Sequence, residues 1–133
     1  MLVLLRNSSD PKGVSLEPKE SEYRMDTSFI NDLKFNDAGL IPAIAQQHDT
    51  GEVLMMAWMN ADSIRETLEQ RRVCYWSRSR NAFWRKGDTS GHTQTLIEMR
   101  YDCDNDTVLV LVDQIGAACH TGARNCFFNI VGQ

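Results

Sequence analysis

No apolar run in this sequence approaches the ~20 residues that a membrane-spanning helix needs. The N-terminal MLVLL is five residues long and has no basic residue before it apart from the terminal amine, so a cytoplasmic protein with no membrane partner is expected. Positive charge is not in excess either. Fourteen Lys and Arg against eighteen Asp and Glu give a net charge of −4, which argues against a general nucleic-acid binder. Cysteine is scarce. Four residues, Cys74, Cys103, Cys119 and Cys126, are too few for a small secreted disulfide framework, and in a reducing compartment they are buried thiols or metal ligands. Walker spacing and G-x-G-x-x-G are missing, as is the H-x-E with P-C-x-x-C signature of zinc nucleobase deaminases. There is no internal repeat and no low-complexity tract.

What is present fits one domain, since 133 residues with 42% hydrophobic content can bury a single core. Residues 1–25, with Pro11, Gly13, Pro18 and EPKESEYR, carry no sustained period and are expected to be a loose extension, leaving 26–133 as the domain. DTSFINDLKF predicts a short helix capped by Asp26 or Thr27. LIPAIAQQ and EVLMMAWMN flank the turn residues of HDTG and predict a hairpin, and Asn60 then caps a helix over ADSIRETLEQRR. VCYWS, TQTLIEMRYDC, TVLVLVDQI and CFFNIV read as strands. Strands outnumber helices and neighbours are joined by short turns, so the expected class is α+β, a mainly antiparallel sheet with a few short helices.

Chemistry concentrates between Ser77 and Cys126. SRSRNAFWRKGDTSGHTQ gathers Arg78, Arg80, Arg85 and Lys86 with Ser90, Gly91, Trp84 and His92, the composition of a phosphate-binding loop. A solvated loop has the same composition, and both readings stand on the residues alone. Cys103, Cys119 and Cys126 match the three protein ligands of an open zinc site, but their spacing is no zinc-finger pattern and by itself favours core thiols. Cys74, inside a strand, has only the core reading. In YDCDND an extended backbone would send Asp102, Asp104 and Asp106 to one face and Cys103 to the other. The carboxylates would then suit a hard cation and the thiolate a softer one. The residues alone favour a polar turn with its charges in water.

SRSRNAFWRKGDTSGHTQ, YDCDND and GAACHTGARNCFF, in this order and nearly contiguous, closely resemble phosphoribosyl-AMP cyclohydrolase of histidine biosynthesis. With GLIPAIAQQHDTGEVLMMAWMN upstream, the resemblance covers about Phe35 to Phe128. It implies a hydrolase that opens the adenine ring of 1-(5-phosphoribosyl)-AMP, a small phosphoribosyl nucleotide, at the N1–C6 bond. It implies zinc on Cys103, Cys119 and Cys126, magnesium on Asp102, Asp104 and Asp106, and His120 and His92 in the active site. It also implies an intertwined homodimer in which Cys103 of one chain joins Cys119 and Cys126 of the other. Zinc would lower the pKa of bound water from 15.7 toward ~7, and a histidine, His120 first and His92 second, would move the proton. Arg78, Arg80, Arg85, Lys86, Ser90 and Gly91 are the expected substrate contacts, and Trp84 either stacks on the purine or belongs to the core. The family often carries a pyrophosphohydrolase domain after this one; with the sequence ending at Gln133, that activity is expected to lie elsewhere. A zinc-stabilised RNA-binding module would need a closed four-ligand site, and the acidic charge and three-cysteine count weigh against it.

Overall fold

The computed structural model describes residues 26–132; the extension expected over residues 1–25 lies outside the described residues. The elements are β1 (Ile41–Gln47), β2 (Val53–Met59), α1 (Ala61–Gln70), β3 (Cys74–Ser77), β4 (Ala82–Arg85), β5 (Gln94–Tyr101) and β6 (Val108–Gln114). The strands form one six-stranded sheet in the order β4-β3-β2-β1-β6-β5. β1 and β2 form the expected hairpin, with Ile41 opposite Met59 and Ala45 opposite Met55. At the sheet centre, however, β1 runs parallel to β6, from Ala43 opposite Val108 to Gln47 opposite Val112. The sheet is therefore mixed, although its other pairings are antiparallel. Local periodicity does not record this, because the connection after β4 carries the chain from one edge of the sheet to the other. The far edge comes back: Arg72 bridges Thr95, and Val73 N donates to Gln94 O (2.9 Å), drawing β5 toward the segment that enters β3.

α1 starts where the sequence predicts. Asn60 Oδ1 accepts from Ser63 N (2.8 Å) and Ser63 Oγ accepts from Asn60 N (2.9 Å), a reciprocal cap that satisfies two donors of the first turn. The helix stops at Gln70, and Arg71 closes it in the left-handed region at φ 57. Ile64 and Leu68 face the core, while Thr67 Oγ1 donates to Ser63 O (2.8 Å) and accepts from Cys74 N (2.9 Å), tying helix to β3. Ile41, Ala43 and Ala45 alternate inward along β1, as do Val108, Val110 and Val112 along β6, and these fully buried side chains form the middle of the core.

Three other expectations change. The first predicted helix is only a 3₁₀ turn, Ser28–Asp32, because Thr27 makes no side-chain cap and Leu33 is already extended. CFFNIV forms no strand: among the described residues its hydrogen bonding to the sheet is the single bond from Cys126 N to Leu54 O (2.8 Å), and Phe127, Ile130 and Val131 are exposed. β-propensity needs a neighbouring strand or a packed face to be realised. The predicted extension of YDCDND is a tight turn, with Asn105 at φ 63 and its N–H donating to Asp102 O (3.0 Å). Asx residues tolerate that conformation, so the polar-turn reading describes the backbone. The 3₁₀ turn braces it through Lys34 N to Asn105 O (2.7 Å) and Phe29 stacked on Tyr101 at 5.4 Å. No helix among the described residues is long and apolar enough to cross a membrane.

Candidate active site

The basic stretch after Ser77 is not one loop. Ala82–Arg85 is strand β4, which the sequence reading missed, paired to β3 with Tyr75 opposite Trp84 and Trp76 opposite Phe83. These cross-strand aromatics sit 5.4 and 5.5 Å apart and hold the hairpin. The β-favouring aromatic pair Phe83–Trp84 within AFWR was the available signal. The chain then turns through Lys86–Thr93, where Gly87, at φ 88, brings its backbone so close to Thr93 N that a Cβ would lie 2.6 Å from it.

That turn faces the loop after β6 across a cleft of about 680 Å³. The lining includes Arg80, Phe83–Ser90 and His92, Met55 and Met56 of β2, and Ala117–His120, Gly122 and Cys126. Of the residues singled out from sequence, Arg80, Trp84, Arg85, Lys86, Ser90, His92, Cys119, His120 and Cys126 meet here. Arg78, Gly91, Cys103 and the aspartates do not line it. Arg78 lies over the Trp58 ring at 4.9 Å, in a neighbouring groove shared with Trp76 and Phe127. A smaller recess of about 320 Å³ beside Glu66, Gln70 and Arg72 holds no thiol or imidazole.

The cysteine loop is fixed by its backbone. Ala118 N donates to Arg124 O (3.0 Å), Cys119 N to Ala123 O (3.2 Å) and Cys126 N to Leu54 O of β2 (2.8 Å). Arg124, which the sequence reading passed over, clamps the loop to the sheet. Its guanidinium donates to Gln114 O (3.0 Å), Gly116 O (2.9 Å) and Gln47 Oε1 (3.0 Å). Glu52 accepts from Arg124 Nε (3.4 Å) and Asn125 Nδ2 (2.8 Å). A single arginine between Cys119 and Cys126 was the sequence signal for this role.

The two thiols are neighbours that affect each other's ionisation, and their surroundings separate them. The Thr121 hydroxyl, 3.1 Å from Cys119 Sγ, and the Thr121 amide pull the Cys119 thiol below its usual range; burial, then the Cys119 contact, pushes Cys126 up. Cys119 is the readier thiolate. Lys86 is buried beneath them: Nζ donates to Ala118 O (2.9 Å) and lies 5.4 Å from the Trp84 ring. Burial lowers its pKa, and the charges of Cys126 and Cys119 oppose that shift. His92 packs against Gly116 so tightly that a Cβ there would lie 2.7 Å from Cδ2, whereas His120 is exposed. Arg85 is already engaged, forked onto Glu66 of α1 at 2.5 and 2.8 Å, and this pairing holds the Glu66 carboxyl below its usual range.

At the opposite end of β6, oxygens of Asp102, Asp104 and Asp106 lie within 4.8 Å of one another, all exposed. Asp102 Oδ1 accepts from Asp106 N (3.0 Å) and Thr107 N (3.2 Å), which lowers its pKa; hydrogen bonding with Asp102 holds Asp106 above the usual carboxylate range. Cys103 is exposed in the same turn, and the three site cysteines do not converge among the described residues.

A cleft that joins paired thiols and imidazoles to a cationic rim belongs to an enzyme acting on small anionic molecules, and the comparisons give that class a name. A sequence profile of phosphoribosyl-AMP cyclohydrolase matches residues 55–128. The phosphoribosyl-AMP cyclohydrolase of Acidiphilium cryptum is 70% identical over 102 residues, covering 77% of this chain and 88% of the relative. That of Alcanivorax borkumensis is 57% identical over 122 residues, 92% of this chain and 80% of the relative. That of Granulibacter bethesdensis is 67% identical over 101 residues, 76% and 79% of the two chains. The chain belongs to the phosphoribosyl-AMP cyclohydrolase family.

Proposed function

We propose that this enzyme hydrolyses the N1–C6 bond of 1-(5-phosphoribosyl)-AMP, opening the adenine ring in histidine biosynthesis. The observation that carries the reading is the convergence of Cys119, Cys126, His92 and His120 in one cleft of a chain of this family. Cys119 and Cys126 are neighbouring soft donors, one of them a ready thiolate, and so fit zinc, with the third ligand assigned to Cys103 of a second copy. Held by these cysteines, zinc would supply a water acidic enough to attack at neutral pH. His120, next to Cys119 and open to the cleft, takes the proton as water adds to C6 and returns it to N1 as the bond breaks. His92, wedged against Gly116, orients the ring edge. Arg80, Ser90 and the backbone of the Gly87 turn receive phosphate at the rim, and Trp84 offers a face to the purine.

The carboxylate turn fits magnesium, which takes oxygen donors, and a cation there would relieve the charge repulsion from Asp102 and Asp104 that adds to the Asp102 hydrogen bond and burial in raising Asp106. β6 runs seven residues between that turn and the cysteine loop, a separation of ~20 Å at ~3.3 Å per residue. This span supports a homodimer in which the turn of one chain reaches the cleft of the other. Incubation with 1-(5-phosphoribosyl)-AMP, followed by ultraviolet absorbance with and without a zinc chelator, tests the reading. Ring opening is expected only in the tube without chelator, and no change in either tube overturns the assignment.

A further inference from the structure

Sequence composition assigns Lys86 to the phosphate-binding set, but its position in the fold gives it other work. The residue is 6% exposed. Its backbone is pinned on both sides, with Lys86 N donating to Val73 O (3.1 Å) and Lys86 O accepting from Arg72 Nη2 (3.1 Å). The side chain therefore runs inward along the Trp84 ring and ends at the carbonyl immediately before Cys119, with Nζ 2.9 Å from Ala118 O. A phosphate contact needs its ammonium at the rim, where Arg80 and Ser90 are exposed. Lys86 instead ends at the Ala118 carbonyl, one residue before Cys119.

We propose that Lys86 is a positioning residue of the cysteine site: its buried ammonium braces the Ala118–Cys126 loop through the Ala118 carbonyl and offsets the negative charge that Cys119 and Cys126 bring to a bound cation. This inference rests on the zinc reading for its charge balance. Two positive charges on zinc against three thiolates leave one negative charge, and a desolvated ammonium beside it is worth far more than a solvated one. The brace itself needs no metal. Lys86 holds the loop at Ala118 while Arg124 holds it at Gln114 and Gly116, so the stretch that leads into the first cysteine is fixed at three carbonyls.

The test compares the full-length wild type with K86M and K86R in three measurements. Hydrogen exchange of the metal-free proteins is read at the Ala118 and Cys119 amides, both bonded across the loop. Zinc affinity is measured by competition with a chromophoric chelator, and KM and kcat are measured under saturating zinc. K86M is expected to speed loop exchange while leaving the β6 amides unchanged, and to weaken zinc binding roughly 10- to 100-fold, as loss of an outer-sphere partner does. It is expected to leave KM within about twofold of wild type while kcat falls, and K86R is expected to restore part of the zinc affinity. Should K86M fail to fold by circular dichroism, K86Q carries the same comparison. A KM raised about tenfold or more with zinc affinity and loop exchange unchanged would make Lys86 a phosphate contact and overturn the proposal. A wild type that binds no zinc while K86M still loosens the loop would remove the metal reading and the charge-offset role but leave the brace standing.

Discussion

Cys74 and Cys119 are both buried thiols, yet their surroundings drive them in opposite directions. Burial first, and the nearby Glu66 carboxylate second, push the Cys74 thiol up to about 12, while Thr121 pulls Cys119 down. In the unfolded chain Cys74 would ionise near ~8.5, so above that pH the unfolded state loses a proton that the folded state keeps. The stability tied to this thiol is present below pH ~8.5 and declines as pH rises through the interval up to about 12. The stability gap between wild type and Cys74→Ala, from urea unfolding, should therefore shrink between pH 7 and pH 10; a constant gap would sink the argument. In iodoacetamide at pH 8, exposed Cys103 should be modified in the native metal-free protein and Cys74 only after denaturation. The basic residues show the same dependence on place. Arg78 covers Trp58, Arg80 lines the cleft, Arg85 is forked onto Glu66, and Lys86 is buried under the cysteines. Their composition drew them into one phosphate-binding group because charge is visible in a sequence and burial is not.

The elements are joined by a buried polar chain that a sequence reading treats as surface. Tyr75 OH on β3 donates to Gln94 Oε1 on β5 (2.6 Å), and Gln94 Nε2 donates to Gln114 Oε1 at the end of β6 (2.8 Å). Gln114 Nε2 donates onward to Ile115 O (2.9 Å) and to the backbone of the cleft residue His92 (3.3 Å). Gln47 of β1 completes the chain, its Oε1 accepting from Gln114 N (2.9 Å) and Arg124 Nη2 (3.0 Å). Tyr75→Phe leaves the Gln94 oxygen buried without its donor and should cost ~1–3 kcal/mol in urea unfolding. Gln94→Leu strands partners on both sides and should cost more than Tyr75→Phe. If the two substitutions cost the same, or less than ~0.5 kcal/mol, the chain is not a stabilising network. The strong local patterns of β1, β2, α1 and β6 were legible because capping and alternation act within a few residues. β4 was hidden inside a cationic stretch, the parallel pairing depends on a crossing that no local period records, and CFFNIV had strand propensity without a partner. The cysteines, histidines and aspartates could be picked out by type, but the glutamines act through burial at strand ends and Arg124 through distant backbone carbonyls, and their sequence context looks solvent-facing.

At the scale of the whole molecule the proposed ligands lie at opposite ends of β6. Cys103 and the aspartates precede Val108, and Cys119 and Cys126 follow Gln114, so within one chain the length of β6 stands between them. The apolar Met56 and Phe127, which line the groove beside the cleft, are exposed, a surface that a second copy would cover. If each site takes Cys103 from one chain and Cys119 with Cys126 from the other, neither Cys103→Ser nor Cys119→Ser can assemble a site alone. Unfolding and refolding the two variants together lets the chains exchange. In a mixed dimer one site has lost both Cys103 and Cys119, but the other pairs intact Cys103 from the second chain with intact Cys119 and Cys126 from the first. Random pairing makes about half the dimers mixed, with one good site in each, so about a quarter of wild-type sites should return under two-fold symmetry. Zinc content and turnover should recover together to that ceiling. Well-folded mixed dimers with no recovered activity would mean that the cleft draws its third ligand from its own chain, which would require the cysteine loop or the aspartate turn to move by the length of β6.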